Sequence, residues 1–251
     1  MRKKALVLGG HSPIAIAISK KLSENYDVLH VTRSPDSQLM DSFDTKLEIE
    51  IVELDLLDEK QVSSLIENEL IQKGHTIETI VFAHKSGPAT ISEAIRLEVE
   101  APIYVIDKII KHQTKGDLKS VVFLSSPAAS SVLVDQELPY HLSKASLIQA
   151  IRYLSVKYGK LGVRLNAVSP GSFVSKPRSR NYYNINSEYK QKIMDFVPSG
   201  DFIHPENIAD TVFFLSSNLS VGINGQNINI DGGYSNLESS GYFISNNRPT
   251  T

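Results

Sequence analysis

The chain has 251 residues, 41% hydrophobic and 22% charged, the make-up of a globular protein rather than a disordered or fibrous one. Its 26 basic and 28 acidic side chains leave a formal charge of −2, so there is no basic excess to draw it to nucleic acid or to an anionic membrane surface. The absence of cysteine excludes disulfides, thiolate catalysis and cysteine-ligated zinc, which fits a reducing cytoplasm.

No stretch reaches the roughly 18 consecutive apolar residues of a membrane span. Met1 to Lys4 followed by an apolar stretch imitates a secretory signal, but Gly9-Gly10-His11-Ser12-Pro13 interrupts it, and residues 4–8 read as a first strand. A helix is expected over 13–23 and a second strand over 27–32. Leu47, Ile49 and Ile51 alternate with Glu48 and Glu50 before residues 52–54 close a third strand, the pattern of a strand exposed on one face.

A helical period resumes over 58–73. It is followed by a strand at 77–82, a long helix ending near His112 and a strand at 121–124. Leu147, Ile148, Ile151, Leu154 and Ser155 form one stripe on a helix over 139–158, after which come a strand at 164–168, a helix at 205–217 and a strand at 226–230. Strands alternating with helices predict an α/β fold, a parallel sheet of about seven strands flanked by helices, and the absence of a linker predicts one domain. Two segments break the pattern: 171–204, read as a lid over the substrate, and a Ser/Asn-rich tail over 235–251.

In such a sheet ligands bind beyond the carboxyl ends of the strands, where the chain order reverses. Residues 9–15 form a tight turn into a helix whose first amides can receive a pyrophosphate. Ser12 and Pro13 are equally an ordinary helix opening. At the end of the second strand, where an acid would accept from a free ribose 2′-hydroxyl, Arg33 stands instead, and an arginine there pairs with a 2′-phosphate: NADP(H) is expected over NAD(H).

At 140 stands Tyr140-His141-Leu142-Ser143-Lys144, with the phenol and the ammonium one helical turn apart and able to act on one ligand. A free phenol, with a pKa of about 10, is a poor acid near neutrality. A neighbouring ammonium stabilises the phenolate and makes the proton more labile. Ser126, after the strand at 121–124, offers a hydroxyl to a carbonyl oxygen.

With these residues the chain resembles the short-chain dehydrogenase/reductase family over almost its whole length, and among its members the 3-oxoacyl-acyl-carrier-protein reductases. The matches are the Gly9-Gly10 turn, Asp55 after the third strand, Ser126 with Tyr140 and Lys144, the stretch from Asn166 to Pro170-Gly171, Pro205-Glu206 opening a helix, and Gly225-Gln226 leading to Asp231-Gly232-Gly233.

The resemblance implies a single Rossmann-type doubly wound domain over 1–251. By it, Tyr140 exchanges a proton with the substrate oxygen, Lys144 holds the cofactor ribose and Ser126 orients the carbonyl, with Ser125 as the fallback. Asp55 approaches the adenine, and Pro170 and Gly171 line the nicotinamide pocket. Gly9, Ser12, Ile14, Leu56 and Ala83 complete the expected cofactor contacts. A homodimer or homotetramer is expected.

Several positions depart from the family pattern. Pro13 and Ala15 occupy two of its glycine positions, and Leu8 replaces a threonine. Pro13 offers no amide donor, although Ile14 does. Phe82-Ala83-His84-Lys85 replaces the family's NNAG, and Glu98 stands where a relay asparagine is expected, bringing a carboxylate toward Lys144. The spacing from Ser126 to Tyr140 is one residue longer than usual.

None of the seven histidines forms a metal-binding pair, so no metal is expected, and His11 and His84 read as structural or solvated. Lys176, Arg178 and Arg180 with Tyr182, Tyr183 and Tyr189 fit a lid that receives an anionic substrate or one that is simply solvated. The expectation is an NADPH-dependent carbonyl reductase. Two alternatives stay open: an NAD-linked alcohol or sugar dehydrogenase, and a dinucleotide-binding sensor without turnover, suggested by the altered glycine turn.

Overall fold

The computed structural model describes residues 3–87, 89–171, 191 and 194–238. Seven strands, β1 (Lys4–Leu8), β2 (Asp27–Thr32), β3 (Ile49–Glu53), β4 (Ile77–Phe82), β5 (Ser120–Leu124), β6 (Arg164–Pro170) and β7 (Asn227–Ile230), form one sheet in the order β3-β2-β1-β4-β5-β6-β7. Every neighbouring pair is parallel. The chain starts in the middle of the sheet and winds outward in both directions, so its order reverses between β1 and β4 and opens a crevice there at the carboxyl ends of the strands.

The central strands are apolar throughout because both faces are covered, and their side chains alternate between two cores. Leu6, Leu8, Ile80, Phe82 and Phe123 point to one side, against α3 (Glu59–Glu67), α5 (Ala101–His112) and α6 (Leu138–Gly159). Ala5, Val7, Val81 and Val122 point to the other, against α1 (Pro13–Leu22) and a late helix over Pro205–Ser216. Each fully buried Leu, Ile, Val or Phe contributes about 1.5–3 kcal/mol. The half-exposed alternation read at residues 47–51 belongs to β3 at the sheet edge.

Two long helices differ from the regular period expected of them. The segment predicted at 58–73 passes from α3 into a π-helical turn at Asn68–Gln72. The one ending at His112 starts as α4 (Ile91–Ile95), opened by a Thr90/Glu93 capping box, and passes through a π turn at Arg96–Glu100 before α5. Each wider turn carries one buried glutamate, Glu69 and Glu98 respectively. A short helix not expected from the sequence, α2 (Ser37–Asp41), is capped by Asp36, whose carboxylate accepts from the Leu39 amide at 2.8 Å. Most of the expected lid and tail, with Lys176, Arg178, Arg180 and the three lid tyrosines, lies outside the described residues.

Candidate active site

The turn after β1 is held from below. Gly9 and Gly10 donate to the Val31 carbonyl at 3.3 and 3.1 Å, and Gly10 takes φ +53°, a conformation that favours glycine. His30, wholly buried on β2, donates from Nε2 to the Gly10 carbonyl at 2.9 Å, while the Ser19 hydroxyl donates to its Nδ1 at 2.7 Å. Burial pushes this imidazole below its ordinary value and keeps it neutral, as that bonding requires.

A Cβ on Gly9 would lie 2.3 Å from the Cβ of Ala15, so the close approach of turn and helix depends on the first glycine now that alanine holds the later position. Gly9→Ala is expected to cost about 1–3 kcal/mol. The Gly9→Ala/Ala15→Gly double variant should be more stable than the two separate losses sum to. Urea unfolding checks this, and strict additivity would contradict the contact.

Above this turn two clefts meet. One, of about 240 Å³, is lined by Gly9, Gly10, His11, Arg33, Asp55 and Leu56 among others. The second, of about 310 Å³, is lined by Ser12, Ile14, Ala83, Ser126, Tyr140, Lys144, Pro170 and Gly171 among others. His84 and Lys85 line both. Every catalytic and cofactor position expected from the sequence therefore lines one of these two adjoining clefts, while the lid side chains expected to meet the substrate lie outside the described residues.

Local folding explains the placement. Ser126 ends the β5 extension and caps a 3₁₀ turn (Pro127–Ala129), its oxygen accepting from the Ala128 amide at 3.2 Å, so its hydroxyl proton is left to donate elsewhere. Ser125 beside it is also buried in the crevice wall, and its hydroxyl has no partner among the described residues. Pro139 opens α6 and puts Tyr140 in its first turn, where the phenol hydroxyl has no hydrogen-bond partner among the described residues.

Lys144 follows one turn later on the buried stripe, its Nζ 5.8 Å from the Tyr140 ring centroid. The ammonium donates to Glu98 Oε2 and to the Leu124 carbonyl, each at 2.8 Å, and both side chains of the ion pair are only 2% exposed. The other Glu98 oxygen accepts from the Ser86 amide at 2.7 Å. Burial alone would push the Glu98 carboxyl up, but the Lys144 ammonium and His84 outweigh it and hold the group below its ordinary range.

An ammonium has three donors, so Lys144 keeps one N–H for a ligand. His84 donates from Nε2 to the Leu97 carbonyl at 3.1 Å, and its buried Nδ1 has no partner among the described residues; burial pushes this imidazole down. At the far end of the crevice Arg33 is exposed and carries no ion pair among the described residues. The nearest acid in sequence, Asp36, is engaged with α2 and with His11 Nε2 at 3.1 Å.

A family model described as enoyl-(acyl carrier protein) reductase matches residues 9–235. The chain belongs to the short-chain dehydrogenase/reductase family. It is 27% identical to the 3-oxoacyl-(acyl-carrier-protein) reductase FabG of Chlamydia muridarum, over 93% of this chain and 97% of that protein. It is 25% identical to the ribulose-forming D-arabinitol 2-dehydrogenase of Scheffersomyces stipitis over 61% of this chain, but there the match spans only 56% of the relative's length. The solved structure of ElxO with NADP bound superposes with a TM-score of 0.80 at 20% identity, covering 94% of this chain and all of that one.

Within the family frame, three features of this short-chain dehydrogenase/reductase take their form only in three dimensions. They are the direct Glu98–Lys144 ion pair, the His30 support under the glycine turn, and Lys85, whose Nζ lies 4.6 Å from the Tyr140 ring centroid, nearer than that of Lys144. The last two carry no signal in a linear pattern, because each depends on residues from separate elements meeting at one crevice. Among the described residues no cluster of three or more metal-ligating side chains occurs, and no helix is long and apolar enough to cross a membrane.

Proposed function

We propose that the chain is an NADPH-dependent oxidoreductase that reduces a carbonyl group to an alcohol, with Tyr140 as the general acid. The observation that carries this reading is the convergence of Ser126, Tyr140 and Lys144 on one cleft that adjoins, past the glycine turn, a second cleft lined by Arg33, which has no ion-pair partner among the described residues.

The residues fit a dinucleotide. Gly9 and Gly10 leave the turn open, the α1 opening at Ser12 makes no side-chain cap of its own, and Ile14 follows Pro13 with its amide in the first turn. Ser12, Ile14 and Ala83 would hold the middle of the cofactor, Asp55 and Leu56 the adenine end, Pro170 and Gly171 the nicotinamide end, and the third N–H of Lys144 a ribose hydroxyl. Bound NADPH supplies the hydride.

The chain supplies the rest. Ser126 donates a hydrogen bond to the carbonyl oxygen and Tyr140 delivers its hydroxyl proton to that oxygen, leaving a phenolate one helical turn from the Lys144 ammonium. The same set run backward oxidises an alcohol, which fits the polyol dehydrogenase among the relatives and keeps an NAD-linked sugar-alcohol dehydrogenase as the second reading. The intact Tyr140/Lys144 pair speaks against a sensor without turnover. A homodimer or homotetramer working in the cytoplasm completes the proposal.

Arg33 separates the two readings. Arg33→Ala should raise the KM for NADPH about 10- to 100-fold, the loss of charge-assisted bonds to a phosphate, and leave the KM for NADH unchanged. Steady-state assays with an acetoacetyl thioester and with D-ribulose test this. A wild-type preference for NADH, or an equal effect on both nucleotides, would remove Arg33 from the role.

A further inference from the structure

We infer that Lys85 is a second working cation of this site, acting through the ring of Tyr140. The inference rests on the reductase reading above. Lys144 and Glu98 form a closed ion pair at 2.8 Å, so from the position of the phenol they act as a dipole with no net charge. Lys85 is different. Its Nζ lies 4.6 Å from the Tyr140 ring centroid, against 5.8 Å for Lys144, and its hydrogen-bond partner is the neutral Gln136 Oε1 at 3.0 Å. Among the described residues no carboxylate forms an ion pair with it. Lys85 therefore adds positive potential at the ring that no ion pair among the described residues offsets.

Two other polar side chains stand near the ring, His141 and Asp135. His141, packed edge-on against Tyr140, donates from Nδ1 to the Glu137 carbonyl at 3.0 Å and accepts from the Leu133 amide at 2.9 Å, a neutral arrangement. Asp135 in the same wall accepts from the Gln136 amide group at 3.3 Å, which fixes the side chain that fixes Lys85.

The timing of the charge makes the contact catalytic in effect. A cation is attracted to a neutral aromatic ring, and more strongly to the same ring once it carries the negative charge of a phenolate. Lys85 therefore stabilises Tyr140 more after the proton has left than before, an interaction that strengthens along the reaction. Its exposure to solvent limits the size of the effect.

The test compares wild type with Lys85→Gln, Lys85→Arg and Tyr140→Phe, using NADPH with an acetoacetyl thioester and with D-ribulose, alongside NADPH binding by fluorescence and thermal unfolding. Lys85→Gln should lower kcat about tenfold. It should leave the unfolding midpoint unchanged, with the loss in kcat persisting at saturating NADPH, and Lys85→Arg should restore most of the rate. A kcat equal to wild type in Lys85→Gln, or a loss confined to NADPH affinity, overturns the inference and leaves the reductase reading standing. Turnover retained in Tyr140→Phe, or absent from wild type on both probes, overturns the reductase reading and this inference with it.

Discussion

Glu98→Ala is expected to lower folding stability by about 3–5 kcal/mol, because it leaves the charge of Lys144 buried without its counter-ion. The two side chains are only 2% exposed, so the ammonium left behind is largely shielded from solvent. The Ser86 amide loses its acceptor as well. Removing both ends of the pair should hurt less than removing one: Glu98→Leu/Lys144→Met deletes both charges and fills the space with apolar atoms, so its unfolding free energy in urea should exceed that of Glu98→Ala.

The sign of the pH dependence follows from the depressed Glu98 carboxyl. A group held below its unfolded value contributes stability that is complete above about 4.3, and loses it as pH falls through the folded-state value. The gap between wild type and Glu98→Gln should narrow in acid. A cost for Glu98→Ala below about 1 kcal/mol would show that the pair is not held together in solution.

Tyr140→Phe should lower kcat by about 10²- to 10⁴-fold, the usual worth of a general acid, and change folding stability by less than about 0.5 kcal/mol. The two halves of this expectation have one structural cause. The phenol hydroxyl makes no hydrogen bond among the described residues, so removing it breaks nothing in the folded protein and removes only the proton to be delivered. Lys144 and its partners are untouched by the change, so NADPH should still bind. A variant that loses activity by unfolding, or that keeps its activity, would contradict the assignment.

The fold was legible because the buried strands are short, apolar and separated by segments of helical period, and because β3 alone alternates with glutamates, as an edge strand should. The crevice was legible because a parallel sheet fixes where its loops converge. The π turns were not: apolar spacing along the helices that carry Glu69 and Glu98 does not register one extra residue in a turn. Glu98 could be flagged as a departure, but its 2.8 Å bond to Lys144 joins residues 46 positions apart and appears only in three dimensions. Arg33 was read correctly as the residue at the end of β2. That the acid three places later is occupied depends on α2, which has too few residues to show a period.

The most direct measurement is a single turnover with NADPH carrying deuterium at both positions of the transferring carbon, an acetoacetyl thioester as acceptor, and mass analysis of the product. Wild type should place the label on the new carbinol carbon, while Tyr140→Phe, with cofactor bound, should form almost no product. Unlabelled alcohol, or equal labelled product from both proteins, would contradict reduction by Tyr140 in this crevice.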